Sequence, residues 1–277
     1  MKVWFITGAS RGFGALVTDR ALAQGDAVVA TARNPNALME RFSSHPNLLP
    51  LALDVTDEAQ AAAAARAAID RFGRIDILLN NAGFGLMGAV EEASAAEIEA
   101  IYRTNVFGLL NVTRAVLPHM RAARAGRILN ISSIGGYRGG AGFGVYCSTK
   151  FAVEGLSEAL HAELAPLGIH VTVIEPGYFR TDFLDASSLS VSPARIADYD
   201  ASAGRVRSVA TDLSHQQPGD PARLAEVLIA FVETPEPPLR LPLGSDTVAA
   251  IEAKHEADRA ILAAWRAVAV STDFATP

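Results

Sequence analysis

Cysteine is nearly absent from this 277-residue chain, in which Cys147 is the single example. One thiol excludes an internal disulfide and a cysteine-rich metal site. No apolar run reaches the roughly 18 residues of a membrane-spanning helix. No basic cluster accompanies the net charge of −6, which disfavours a nucleic-acid partner. The first residues enter a strand-like segment without a charged leader, so we expect a cytoplasmic protein with no membrane partner.

Short β-branched segments alternate with helical ones through the first two thirds of the chain. Predicted strands cover residues 3–7, 28–31, 48–53, 75–79, 127–131 and 170–174. The predicted helices cover residues 12–24, a segment from an N-cap at Thr56 to Gly73, a long stretch ending at Met120, and residues 146–164. This order predicts an α/β fold: a doubly wound parallel sheet of about seven strands with helices on both faces.

No linker or repeat divides the sequence, and we expect a single domain over residues 1–277. The regular pattern weakens after residue 176. Residues 182–218 have no clear period, and an irregular segment of this length often serves as a substrate lid. A helix near 221–232, a short strand at 239–243 and a C-terminal helical extension over 245–268 are predicted to complete the chain.

A glycine-rich turn follows the first predicted strand and opens the first helix. It contains Gly8, Ser10, Arg11, Gly12, Phe13 and Gly14, with the spacing G-x-x-x-G-x-G. Glycines let the backbone approach a pyrophosphate closely, and the helix N-terminus offers N–H groups and a positive dipole to that anion. The turn therefore predicts a dinucleotide site, although an ordinary strand-to-helix turn has a similar composition.

The end of the second strand predicts the choice of cofactor. An acidic residue there would hold a ribose 2′-hydroxyl, whereas an arginine accommodates a 2′-phosphate. This chain has Arg33 at that point and no acid before Glu40. Arg11 and Arg33 could clamp the phosphate together, so the sequence favours NADP(H) over NAD(H). The alternative is that both are ordinary surface arginines.

Two further strand ends carry candidate cofactor residues. Asp54 and Val55 follow the third strand, where Asp54 could accept a hydrogen bond from an adenine amino group or cap a helix. Asn81, Ala82 and Gly83 end the fourth strand, where ligands bind in open α/β sheets. Asn and Gly also suit a plain turn.

Tyr146 and Lys150 lie four residues apart on one predicted helix face. A nearby ammonium should lower the pKa of a tyrosine and make it a usable acid near neutral pH. Lysine is scarce here, since only Lys2, Lys150 and Lys254 are present. Ser133, at the end of the fifth strand, could polarise a substrate oxygen, although most loop serines only satisfy backbone groups. No ligand spacing around His161 or His170 indicates a metal, and we assign no chemistry to Cys147, which should point off the Tyr146 face.

Taken together, these motifs resemble the short-chain dehydrogenase/reductase family, in its branch of about 250 residues with a Tyr-x-x-x-Lys motif. The resemblance implies a Rossmann-type fold, with Tyr146 as proton donor and Ser133 positioning the carbonyl. Lys150 would lower the tyrosine pKa and bind the nicotinamide ribose, and Asn105 would hold a water that links Lys150 to solvent. The other implied contacts involve Pro176, Gly177 and Thr181 at the nicotinamide, Asn81 in the sheet, and Arg11 and Arg33 as marks of NADP preference.

These residues predict an NADPH-dependent carbonyl reductase, equivalently an alcohol dehydrogenase. Apolar side chains in and near the proposed lid favour a hydrophobic ketone or aldehyde: Tyr137, Phe143, Phe179, Phe183, Leu184, Leu189, Val191, Ile196 and Tyr199. They could equally be the lid's own core. A 3-oxoacyl-thioester reductase is the nearest rival. A non-catalytic NADP(H)-sensing regulator and a sugar-nucleotide epimerase are rivals of other classes.

The C-terminal segment differs from the commonest family pattern. Many members end in an Asp-Gly-Gly-type turn at a tetramer interface, whereas this chain has a proline-rich strand and a long helix. A tetramer is therefore in doubt, and a homodimer or a monomer is expected. The apolar side of the last helix could pack on its own domain or on a partner.

Overall fold

A computed structural model describes residues 1–42 and 45–274, without the side chains of residues 211 and 212. Its main sheet has the strand order β3-β2-β1-β4-β6-β7-β9, with every neighbouring pair parallel. These strands are β1 (Val3–Thr7), β2 (Ala27–Ala32), β3 (Leu48–Ala52), β4 (Ile77–Asn80), β6 (Gly126–Ile131), β7 (Ile169–Pro176) and β9 (Arg240–Leu243). A small second sheet pairs β5 (Gly85–Met87) with β8 (Leu189–Val191). The predicted doubly wound sheet is confirmed.

The helices cover both faces of the sheet. They are α1 (Gly12–Ala23), α2 (Asn36–Phe42), α3 (Glu58–Phe72), α4 (Ala95–Tyr102), α5 (Leu109–Ala123), α6 (Gly144–Leu164), α7 (Arg205–Leu213), α8 (Pro221–Phe231) and α9 (Ser245–Val270). Alternate residues of β1 serve opposite faces, as the two-residue period of a strand requires. Trp4 and Ile6 pack with α1 and α8, whereas Val3 and Phe5 pack with α3 and α5. Such double burial explains why the strands are continuously apolar.

Two details of the sequence prediction are wrong. The N-cap of α3 is Asp57, whose carboxylate accepts the Gln60 N–H at 3.0 Å, and not Thr56. The Thr56 hydroxyl donates instead to Asp54 at 2.8 Å, because it lies one residue too early to reach the first turn. The predicted long helix ending at Met120 is also interrupted. β5, α4 and a π-helical turn over Arg103–Gly108 precede α5, and Ser94 begins α4 with a capping box to Glu97.

Residues 182–218 are more ordered than their sequence suggests. β8 attaches the segment to β5, and α7 follows it. Glu92 joins the segment to the body, because its buried carboxylate accepts hydrogen bonds from the Ile196 N–H at 3.0 Å and from Arg207 at 2.7 Å. These bonds and the Ala89 N–H hold the pKa of Glu92 down to about 2. A buried ion pair therefore attaches the segment in addition to the strand pairing.

The last helix, α9, contacts the body near its beginning. It touches β9 and the turn over Ile134–Gly136, and His255 hydrogen-bonds to the Tyr137 hydroxyl. Farther along, Ile261, Leu262 and Trp265 are each about 60% exposed. The predicted apolar side of α9 therefore does not pack on this domain. No helix among the described residues is long and apolar enough to span a membrane.

Replacing leucine by alanine should change the free energy of unfolding very differently in the buried core and at the exposed end of α9. Leu78→Ala removes a fully buried side chain and should lower the free energy of unfolding by about 2–5 kcal/mol. Leu262→Ala removes an exposed side chain, so the change should stay within about 0.5 kcal/mol. Urea unfolding followed by circular dichroism compares them. Equal costs would contradict the exposed position of α9.

A second prediction concerns the attachment of residues 182–218. Glu92→Gln should speed hydrogen–deuterium exchange in residues 189–213 by roughly tenfold or more at pH 7, because Arg207 would lose its buried partner. The depressed pKa of Glu92 means that the ion pair stabilises the wild type above about pH 4.5 and is lost as the pH falls toward 2. Glu99→Gln, in an exposed ion pair with Arg103, is the control. Unchanged exchange in Glu92→Gln would show that the β5–β8 pairing alone holds the segment.

Candidate active site

One cavity of about 920 Å³ lies at the carboxyl ends of the central strands. Parallel strands bring all their carboxyl ends to one edge, where open α/β sheets bind ligands. Of the predicted site residues, Gly14 and Asn105 lie outside its wall. The others line it: Gly8, Ser10, Arg11, Gly12, Phe13, Arg33, Asp54, Val55, Asn81, Ala82, Gly83, Ser133, Tyr146, Lys150, Pro176, Gly177 and Thr181.

The glycine turn shapes the part of the cavity next to α1. Gly8 and Gly12 have φ values of +65° and +56°, which favour glycine over other residues. The N-cap residue Arg11 makes no side-chain hydrogen bond to the first turn of α1, and a Cβ on Gly12 would have no heavy atom within 4 Å. The N–H groups of this turn can therefore donate hydrogen bonds to an anion such as a pyrophosphate. Gly14 instead permits close contact between α1 and the Gly8 carbonyl.

Asn81 ties the end of β4 to the glycine turn. Its side-chain amide donates to the carbonyls of Thr7 at 2.9 Å and Gly8 at 3.0 Å. The Thr7 hydroxyl in turn accepts the N–H groups of Asn81 at 2.9 Å and Ala82 at 3.0 Å. These four bonds fix the turn relative to the sheet, in agreement with the structural role that the family resemblance implies for Asn81.

The residues after β2 and β3 line the cavity on the β3 side of the glycine turn. Asp54 accepts the Thr56 N–H at 2.9 Å and the Thr56 hydroxyl, and Val55 beside it is buried. Arg33 is exposed on the cavity wall. The Arg11 guanidinium donates to the Ser187 carbonyl in the 182–218 segment. The predicted clamp of Arg11 and Arg33 on a 2′-phosphate stays a prediction, and it would require Arg11 to leave the Ser187 carbonyl.

Tyr146, Ser133 and Lys150 form one group at the end of β6. The Ser133 hydroxyl accepts the Gly135 N–H at 3.0 Å, and both this hydroxyl and the Tyr146 ring lie against Gly135. The Lys150 ammonium donates to the Ile131 carbonyl at 2.8 Å and lies 5.8 Å from the centre of the Tyr146 ring. The predicted triad is thus assembled on one helix and one strand end.

The pKa that the sequence predicted for Tyr146 is wrong in this structure. Burial raises the tyrosine pKa, and the Ser133 hydrogen bond opposes that rise only in part. Burial also lowers the pKa of Lys150 to about 8, against the negative charge of Glu154, which raises it. The Lys150 ammonium donates to the Ile131 carbonyl and not to the phenol. The cost of burying the phenolate therefore decides the tyrosine pKa.

Asn105 lies behind the cavity wall, in the π-helical turn over Arg103–Gly108. Its side chain accepts the Phe84 N–H at 3.1 Å and donates to the Phe84 carbonyl at 3.0 Å and the Thr149 hydroxyl at 3.2 Å. These bonds place it beside Gly83, between the end of β4 and α6. Its expected part in a water relay stays a prediction.

The loop after β7 is held from the C-terminal segment. The Asp246 carboxylate accepts the Tyr178 N–H at 2.7 Å, and the Gly177 N–H bonds to the Leu243 carbonyl at 3.0 Å. A Cβ on Gly177 would collide with Asp246. Farther along, the Thr181 hydroxyl accepts the Phe183 N–H at 3.3 Å. Sequence reasoning missed Asp246, because a side chain 68 positions away leaves no local signal.

Part of the predicted apolar set lines the cavity. Phe143, Phe179, Phe183, Leu184 and Leu189 do, whereas Tyr137, Val191, Ile196 and Tyr199 do not. The rings of Phe183 and Phe143 lie 5.5 and 6.1 Å from the Tyr146 ring.

Several wall residues escaped the sequence prediction, among them Phe84, Thr104 and Arg138. Cys147 also lines the cavity, contrary to the expectation that it points away, and burial raises the pKa of its thiol. One group of possible metal ligands occurs among the described residues: Asp182, Asp185 and His215. Asp182 belongs to the cavity wall, and the His215 ring contacts the Asp185 carboxylate at 3.1 Å.

Comparison with known proteins gives consistent matches. The model of the short chain dehydrogenase family matches residues 2–191. The oxidoreductase BOA17 of Botryotinia fuckeliana is 40% identical over 250 residues, 89% of this chain and 90% of that protein. A 3-ketodihydrosphingosine reductase of Bacteroides thetaiotaomicron is 38% identical over 244 residues, 88% of each chain.

Solved structures agree over almost the whole fold. A short-chain dehydrogenase from Streptomyces avermitilis superposes with a TM-score of 0.91 at 39% identity, covering 99% of this chain and 100% of that one. A Burkholderia phymatum member in complex with NAD has a TM-score of 0.81 at 25% identity, covering 92% and 93%. A serine dehydrogenase complexed with NADP+ has a TM-score of 0.73 at 30% identity, covering 87% and 94%. Both cofactors therefore occur among the similar structures.

Proposed function

The chain belongs to the short-chain dehydrogenase family, and we propose that it is an NADP(H)-dependent oxidoreductase that acts on a carbonyl or secondary alcohol. One observation carries the proposal. The Tyr146 phenol and the Ser133 hydroxyl line the same cavity as the glycine turn at the start of α1. A proton donor and a dinucleotide site in one cavity are what a carbonyl reductase requires.

Each residue of the group has a distinct part in the proposed reaction. The bound cofactor supplies the hydride when a carbonyl is reduced. Tyr146 gives the substrate oxygen its proton, and the Ser133 hydroxyl holds that oxygen by a hydrogen bond. Lys150 contributes a positive charge at the end of β6 and binds the nicotinamide ribose. Asn105 supports the relay that returns a proton to this group.

The choice of NADP(H) rests on charge at the adenine end. Arg33 is an exposed guanidinium on the cavity wall directly after β2, where a 2′-phosphate would require a cation. Arg11 lines the same wall and would have to exchange the Ser187 carbonyl for the phosphate. Asp54, the acid that follows β3 in this wall, already accepts hydrogen bonds from the Thr56 N–H and hydroxyl.

A hydrophobic substrate follows from the side chains around Tyr146. Phe143 and Phe183 flank its ring, and Leu184 and Leu189 continue the apolar wall from the 182–218 segment. This segment is the proposed substrate lid, attached through β8 and Glu92. A relative named 3-ketodihydrosphingosine reductase supports a hydrophobic ketone. Acyl-thioester reduction is the rival within this class.

Tyr146→Phe tests catalysis apart from cofactor binding. We expect at least a roughly 100-fold loss in the rate of NADPH oxidation over a panel of ketones, aldehydes and 3-oxoacyl thioesters, because the proton donor is removed. The dissociation constant for NADPH, from fluorescence titration, should change by no more than about threefold. NADPH binding without turnover in the wild type would instead favour a non-catalytic regulator.

Arg33→Ala tests the cofactor preference. A charge-assisted hydrogen bond contributes about 1.5–3 kcal/mol, so NADPH should bind roughly 10- to 100-fold more weakly while the affinity for NADH stays the same. Arg66→Ala, an exposed arginine of α3 outside the cavity wall, is the matched control. Calorimetry with both nucleotides gives the comparison. Tighter binding of NADH than of NADPH by the wild type would refute the assignment.

A further inference from the structure

Two buried carboxylates share one arginine behind the candidate active site. Glu154 on α6 and Glu175 on β7 are 5% and 0% exposed. The Arg240 Nε on β9 lies 3.1 Å from Glu154 Oε2 and 3.2 Å from Glu175 Oε1. Glu158, one turn farther along α6, contacts the same guanidinium from a half-exposed position. Three acids therefore surround one cation.

The excess of negative charge has a direct consequence for protonation. An ionised carboxylate is costly to bury without a full complement of partners, so a buried acid pair holds a proton instead. Burial and the adjacent Glu154 raise the pKa of Glu175 to about 7, against the opposing effect of Arg240. Arg240 donates a hydrogen bond to Glu154 at 3.1 Å, whereas neither Glu175 carboxylate oxygen has a hydrogen-bond partner among the described residues. Burial raises the pKa of Glu154 as well, but Ser132 and Arg240 oppose that rise, so Glu154 is the member of the pair better placed to be ionised.

Glu154 is also one helical turn from Lys150. Residues four apart on a helix share a face, and both side chains are buried. Burial lowers the pKa of the lysine, and the charge of Glu154 opposes that change. The charged groups around Glu154 are Lys150 and Glu158 on α6, Glu175 on β7 and Arg240 on β9. Glu154 thus connects the catalytic lysine to the last strand of the sheet.

We propose that Glu154 is a positioning residue of the active site: its carboxylate, held ionised by Arg240, keeps Lys150 in the ammonium form. Glu175 carries the proton that the acid pair retains. The inference rests on the proposed function, because the ammonium matters through its contact with the cofactor ribose and its charge near Tyr146. It assigns a part in the active site to Glu154, Glu175 and Arg240, which lie outside the cavity wall.

The sign of the effect follows from the charges. Removing the anion makes the buried ammonium less stable, so the pKa of Lys150 should fall below its present value of about 8. Any property that needs the ammonium is present below that pKa and lost above it. The alkaline limb of NADPH binding and of kcat/KM should therefore move to lower pH when Glu154 loses its charge.

The test compares Glu154→Gln with Glu158→Gln, which removes a carboxylate from the same helix and the same arginine. The primary measurement is the dissociation constant for NADPH from pH 6 to 10 by fluorescence, which does not depend on turnover. The alkaline limb should shift down by about one pH unit in Glu154→Gln, as the loss of a nearby opposite charge predicts. It should stay in place in Glu158→Gln and in Glu154→Asp.

Three results would overturn the proposal: a wild-type curve without an alkaline limb, a limb that Glu154→Gln leaves in place, or an equal shift in Glu158→Gln. If Glu154→Gln does not fold, Glu154→Met supplies a second uncharged variant, because apolar side chains often replace buried ions without loss of stability. A wild type that turns over no carbonyl would refute the proposed function alone, because the binding curve still reports on Lys150.

Discussion

The parallel register of the central strands is the constraint on which the rest of this molecule depends. A buried chain of polar side chains maintains it between β4, β6 and two helices. The Asn80 amide donates to Asn130 and Thr113, both at 2.9 Å, and the Asn130 amide donates to Ser157 at 2.8 Å. A buried amide has a large penalty if it is left unpaired, so these bonds resist any slip of the sheet or of α6. Because α6 also contains Tyr146, the same bonds set the position of the phenol relative to the strand ends.

Burial then decides the protonation of the groups so positioned. Desolvation raises the pKa of Tyr146 and lowers that of Lys150, so one physical cause moves both residues toward their neutral forms. A protonated phenol is the state that can donate to a carbonyl oxygen, so its burial suits the proposed reduction. The same effect makes the lysine easier to deprotonate. In the proposal above, the Glu154 carboxylate, paired with Arg240, keeps the lysine protonated. The charges behind the cavity thus affect the protonation of a residue inside it.

Sequence reasoning predicted what is periodic or local and missed what is not. The strands were predictable because double burial makes each of them a short apolar run, and the cavity residues because parallel strands end together. β5 and the π-helical turn over Arg103–Gly108 are too short to produce a recognisable hydrophobic period. The sequence therefore wrongly predicted one continuous helical stretch ending at Met120. Asp57 and Thr56 are both acceptable caps, and only geometry distinguishes them. The raised pKa of Tyr146 results from its burial in the folded chain, which the spacing of Tyr146 and Lys150 in the sequence does not show.

The C-terminal segment, in which the chain differs most from the commoner family pattern, takes part in the active site. Arg240 balances the buried acids behind Lys150, and Asp246 holds the Tyr178 N–H in the loop beside the proposed nicotinamide site. Neither residue can act until β9 has paired with β7, the last parallel pairing of the sheet. The site is therefore complete only when the whole sheet has formed. A change in this segment should act on cofactor binding and on the lysine through these two ionic contacts, even though α9 itself extends away from the domain.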